Sequence, residues 1–208
     1  MSDAFFIADD ATATGRWFVY LFALADCSAF KVGFSRSPLQ RIYTFSHRYF
    51  ERFDLHDSLL LQLDANAAVR AAETALKLEL APFRASCPEW IPREAGGHTE
   101  WFSAVQRRQA EERLDSLARV HPGAQAIEPF DLMRDELAGL MPSFEPWAWH
   151  QAQTISEALS YAGGVHALPG MGRLLRDWLD AYRYFGLTVF RDDTLTQQFV
   201  EESARRSC

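Results

Sequence analysis

The sequence lacks the features that mark several large protein classes. It has only three cysteines in 208 residues, Cys27, Cys87 and Cys208. No two stand at metal-pair spacing and an odd number cannot all pair within a chain, so they read as free thiols of a reducing compartment, the cytoplasm. No apolar run approaches the ~18 residues of a membrane span. The N-terminal stretch "MSDAFFIADDATATGRW" sets acids around a short apolar patch. Without a basic first segment or a long apolar one it does not read as a secretory signal. Positive charge is also in deficit, with 21 Lys and Arg against 28 Asp and Glu, a net −7. A non-specific nucleic-acid coat is normally basic, so any such contact has to come from a local patch. There is no internal repeat and no low-complexity tract.

What is present is enough apolar material, 48% of residues, to build a packed core and exclude disorder. The charge is uneven. Residues 31–52 reverse the general acidity, with Lys31, Arg36, Arg41, Arg48 and Arg52 against Glu51 alone.

The run "WFVYLFAL" at 17–24 and "AFKVGFS" at 29–35 read as two strands of a hairpin joined through Asp26-Cys27-Ser28. Ser37-Pro38 opens a helix, serine as cap and proline in the first turn. "HDSLLLQL" at 56–63 suggests a third strand, and "DANAAVRAAETALKLELAPF" a strong helix capped by Asp64 or Asn66 and limited by Pro82. Residues 84–98 are irregular. "TEWF" at 99–102 reads as extended and leads into a charged helix over about 103–120. "HPGA" at 121–124 is a break and marks a boundary. Beyond it the chain reads as helical, at roughly 128–140, 150–162, 170–185 and 194–205. The division is an N-terminal extension (1–15), a first domain (16–120) and a helical C-terminal domain (125–208).

Pairing Tyr20 opposite Gly33 across the hairpin puts Lys31 opposite Phe22, diagonal to the tyrosine on one face. An ammonium there would lower the phenol pKa, and Gly33 would leave space beside the ring. Arg41 falls in the first turn of the next helix, where a guanidinium suits a phosphate. On the second helix Glu73 lies in line with Val69, Leu76 and Leu80, and a carboxylate on an apolar stripe needs a partner. A metal ion, Arg41 or Arg70 would each serve. The plainer alternative is that the aromatic hairpin is core and that its Tyr and Lys snorkel to the surface.

In their joint spacing these residues resemble the GIY-YIG nuclease superfamily. Phe18-Val19-Tyr20 stands for the first motif, Lys31-Val32-Gly33 for the second, Arg41 for the helical arginine and Glu73 for the glutamate. "TEWF" is similar to the Glu-Trp-Phe segment of the phage-type DNA-binding branch, whose second motif commonly begins with lysine. The resemblance covers about residues 16–118. It implies an α+β fold, a small three-stranded antiparallel sheet flanked by helices, here followed by a mainly helical region. It implies a metal-dependent DNA endonuclease. Tyr20 would act as general base or orient the attacking water, Arg41 would stabilise charge on the phosphate, and Glu73 would hold one Mg²⁺ or Mn²⁺. Lys31 would tune Tyr20. The sequence departs from the pattern at Phe18 and Lys31, carries Lys77 where that branch often has histidine, and has no match for a catalytic asparagine seen in some relatives.

Arg36, Arg48 and Arg52, with Tyr43, Tyr49 and Phe50 interleaved, suggest a surface for phosphates and bases, or a solvated face over core aromatics. His47 follows the arginine helix and is either a proton-transfer aid or a surface histidine. His98 reads as a loop residue. In the C-terminal region a helix-turn-helix competes with a helical core or a protein-partner surface. The expected partner is DNA, with no membrane. The alternatives to an enzyme are a silent DNA-binding module and a protein-interaction accessory.

Overall fold

The computed structural model describes residues 15–161 and 169–189. The expected 194–205 helix, the N-terminal extension up to residue 14, Gly163-Gly164, His166 and Cys208 lie outside the described residues. The chain divides into two compact units, Met1–Met133 and Arg134–Cys208.

The first unit is built on β1 (Trp17–Leu24) and β2 (Ala29–Ser35), paired antiparallel with Tyr20 opposite Gly33 and Phe22 opposite Lys31. Helices α1 (Pro38–Phe45) and α2 (Tyr49–Arg52) lead into β3 (Phe53–Leu63), which pairs with the other edge of β1. Then come α3 (Asn66–Glu79), β4 (Trp101–Ser103) on the outer edge of β2, α4 (Arg107–Val120) and β5 (Gln125–Ile127) on the outer edge of β3.

The expectation of a small three-stranded sheet is therefore corrected. The sheet has five antiparallel strands in the order β4-β2-β1-β3-β5. The two added strands are short edge pieces of three residues each, too short for period-2 patterning to register. The break at 121–124 is a turn, with Ala124 N–H donating to His121 O (3.1 Å), which returns the chain to the sheet.

Alternation along the strands makes two apolar faces. One carries Val19, Leu21, Phe30, Val32, Leu61 and Leu63 against Val69, Ala72 and Leu76 of α3 and Leu114 of α4. The opposite face carries Tyr20 and Phe22, stacked at 4.3 Å between ring centroids, with Phe45, Phe53 and Trp101 around them. Where the β1–β3 register shifts between Leu21 and Ala23, the buried Ser58 hydroxyl accepts from Ala23 N–H (3.0 Å) and donates to Asp54 O. It satisfies a donor the bulge would orphan.

Ser37 caps α1 by accepting from Gln40 N–H (3.3 Å), with Pro38 in the first turn, as the sequence suggests. The cap of α3 differs from expectation: the N-cap is Ala65, without a side-chain bond. Asn66 instead accepts from Arg70 Nε at 3.0 Å.

In the second unit the expected pair of helices at 128–140 and 150–162 is one helix, α5 (Pro129–Tyr161), running through Pro142 and Pro146 and beginning in the first unit. α6 (Pro169–Tyr184) packs Tyr182 on Phe144 at 4.4 Å and Trp178 on Phe144 at 6.0 Å, a helical aromatic core. Among the described residues no helix is long and apolar enough to cross a membrane.

Burial pushes the Glu136 carboxyl of α5 up to about 7. The folded chain then holds a proton there that an unfolded chain releases near pH 4–5, so stability falls as pH rises through about 4.5 to 7. Glu136→Gln is expected to raise the thermal midpoint relative to wild type at pH 8 but not at pH 4, in paired melts. Equal shifts at both values would refute the assignment.

Candidate functional site

The site begins at the β1–β2 pair. Tyr20 is 1% exposed and its ring lies over Gly33: a Cβ at residue 33 would stand 2.2 Å from the phenolic oxygen. The space that Gly33 leaves is thus filled by the phenol itself rather than held open for a ligand. Arg41, half-buried on α1, donates from Nε to Tyr20 Oη (3.3 Å) and from Nη1 to Ala95 O (2.7 Å). Its guanidinium lies 4.5 Å from the Phe45 ring centroid. Ser37 and Pro38 set this geometry by fixing where α1 starts, which aims Arg41 back at the hairpin.

Burial pushes the Tyr20 phenol up to about 12; Arg41 offsets part of this, while Glu100 and Glu73 add to it. The expectation that Lys31 would lower this pKa is corrected. The Lys31 ammonium turns elsewhere, donating to Gly97 O (2.6 Å) and Glu100 Oε2 (3.1 Å). It does not snorkel: Lys31 is 0% exposed, with its ammonium 5.2 Å from the Phe45 centroid and 5.4 Å from that of Trp101. Burial pulls its pKa down, and Glu100 opposes that fall.

Glu73 is buried on α3, and its partner is neither Arg41 nor Arg70 but Lys77, one turn on, at 3.0 Å from Oε1. Lys77 also meets Glu100 Oε1 at 3.3 Å. Glu73, Lys77, Glu100 and Lys31 therefore form one row of alternating charge from α3 to β2. Burial alone would lower the Lys77 pKa, but its two carboxylates win and hold it raised. Burial alone would raise that of Glu100, but its two lysines win and hold it low.

Glu100 and Lys77 are the residues that sequence reasoning missed. The available signal was a glutamate directly before two core aromatics in "TEWF", and a lysine one helical turn after a carboxylate on an apolar stripe. For the expected Mg²⁺ the fit is poor as the side chains stand. The Glu73 oxygen is already bonded to an ammonium, and no group of three or more His, Cys, Asp or Glu among the described residues is arranged to hold a metal ion.

Of the four residues expected to grip nucleic acid, three come together. His47, Arg48 and Arg52 line a cavity of about 330 Å³ with Thr44, Glu51 and Trp90. Arg52 lies over Trp90 (5.3 Å) and His47 stacks on Tyr43 (4.5 Å). Arg48 pairs with Glu51 through two bonds, at 2.8 and 2.5 Å. Arg36 is elsewhere, beyond the end of β2 and over Trp17 at 4.6 Å. His98 lies in the loop beside Gly97, its Nε2 buried and without a hydrogen-bond partner among the described residues.

Residues 18–118 match the model of the T5orf172 domain, a phage-associated domain of DNA-binding or nuclease-like character. The resemblance to the GIY-YIG superfamily is corrected by that finding, since the matching family is the T5orf172 domain and no GIY-YIG model matches. Short motifs of three residues at similar intervals were too little to separate the two. None of the curated proteins or solved structures compared matches the chain.

Gly33→Ala is expected to cost about 1–3 kcal/mol, the usual penalty of forcing a methyl into a filled core, measured by urea unfolding. An unchanged midpoint would mean that the Tyr20 ring gives way freely.

Proposed function

We propose that the first unit binds nucleic-acid phosphodiesters and hydrolyses them as an endonuclease. The reading rests on one observation above all: Tyr20 and Arg41 are hydrogen-bonded to each other (3.3 Å), and the tyrosine feels the charge of Glu73 and Glu100. Among the described residues Arg41 has Nε and Nη1 engaged, which leaves Nη2 for a phosphate oxygen. There it would stabilise the charge that develops as water attacks phosphorus. A phenol raised to about 12 is protonated at neutral pH. Tyr20 then serves by accepting from Arg41 and so holding the guanidinium in place for a phosphate, not as a resident phenolate base. Water adds across the phosphorus–oxygen bond, leaving a phosphate end and a hydroxyl end. His47, Arg48 and Arg52 extend the surface along which a strand would lie, and the T5orf172 match supports a DNA partner.

Glu73, the carboxylate expected to hold a metal ion, is engaged by an ammonium instead. Its ion pair with Lys77 favours a second reading, a domain on the same fold that grips DNA without cutting it.

The test is a nicking assay on plasmid and single-stranded DNA with Mg²⁺, with Mn²⁺ and with chelator. Arg41→Ala is expected to reduce cutting by about a hundredfold or more, and Tyr20→Phe and Glu73→Gln to reduce it strongly. Salt-sensitive binding without cutting in any condition selects the second reading. Neither binding nor cutting refutes both.

A further inference from the structure

A lysine near a helix surface ordinarily extends its ammonium to water. Lys77 does otherwise. Its side chain is 27% exposed, and its nitrogen lies 3.0 Å from Glu73 Oε1 and 3.3 Å from Glu100 Oε1. The two carboxylates come from different parts of the chain, one on α3 and one at the entry to β4, and converge on this one cation. Glu73 is 7% exposed and, among the described residues, Lys77 is its only ion-pair partner. The second oxygen of Glu100 is taken by Lys31 at 3.1 Å.

From this geometry we infer that Lys77 is the resident cation of the Glu73–Glu100 pair and that it excludes a divalent metal from that place. The inference rests on the reading that these carboxylates belong to the phosphate site. The row Glu73, Lys77, Glu100, Lys31 has no net charge, so a dication added to it would sit uncompensated beside two ammonium groups. Mg²⁺ also demands oxygens at about 2.0–2.1 Å in near-octahedral order. Both carboxylates would have to close in and Lys77 would have to leave. In place of a metal, the positive charge beside these carboxylates is then that of the two ammonium groups. Lys77 acts through the carboxylates and is a positioning residue.

The experiment is a titration of the full chain with Mn²⁺, following free ion by electron paramagnetic resonance. Wild type is expected to show no site that Glu73→Gln removes. Lys77→Met empties the place and is expected to gain a site at least about tenfold tighter than any in wild type, the scale on which neighbours tune metal sites. That site should vanish in Lys77→Met combined with Glu73→Gln. Lys77→Arg keeps the charge and should behave as wild type. A wild-type site abolished by Glu73→Gln would overturn the inference, as would a folded Lys77→Met variant that gains none. The comparison of wild type with Glu73→Gln decides even where Lys77→Met does not fold. Nicking in the same samples is a separate readout: its absence refutes the nuclease reading and leaves the Mn²⁺ result standing.

Discussion

The ammonium of Lys31 has no exposed surface, and a charge taken out of water has to find its partners inside the protein. It finds a carbonyl, a carboxylate and two aromatic faces, and each choice fixes another part of the first unit. The carbonyl is that of Gly97, in the left-handed region at φ 68°, where a Cβ would stand 2.6 Å from the ammonium. The carboxylate is Glu100, whose backbone oxygen accepts from Val32 N–H (3.1 Å) and so ties the loop to β2. The aromatics are Phe45 from α1 and Trp101 from β4. One buried cation thus holds together a helix, an edge strand and the loop before it.

That anchoring decides the chemistry available at the hairpin. The loop is fastened twice over the Tyr20 face, by Lys31 to Gly97 O and by Arg41 to Ala95 O. Under it the phenol is buried, with its pKa raised, and the Arg41 guanidinium is held against it. The positive charge is local, within a chain that is acidic overall. On the proposed function, such a local patch suits a phosphate held at one place better than the coating of a long strand.

Much of the first unit was legible from residues alone, for identifiable reasons. β1, β2 and α1 follow from a dense apolar run, a turn and a Ser-Pro helix start, which are local signals. The Tyr20–Gly33 pairing was an assumption of the hairpin reading, and it is the observed register. β4 was legible only as an extended segment in "TEWF", without its place in the sheet, and β5 was not legible, because three residues carry no period. The continuity of α5 through Pro142 and Pro146 ran against the local rule that proline ends a helix. Glu73 was recognisable as a carboxylate needing a partner, but the partner was not. Lys77 stands one turn on along the same helix, at an i,i+4 spacing that offered a signal, whereas Glu100 lies 27 residues after Glu73 and no spacing joins it to that pair.

The sequence by itself determined the hairpin, the helix that presents Arg41, the apolar stripe that buries Glu73, and the local reversal of charge between residues 31 and 52. These depend on neighbours within a turn or two, so composition and period suffice. The tertiary structure alone decided that Lys31 points inward, that Tyr20 is raised and bonded to Arg41, and that a lysine stands between Glu73 and Glu100. Those outcomes depend on burial and on groups far apart in the chain, and desolvation is a property of the packed molecule, not of any segment of it.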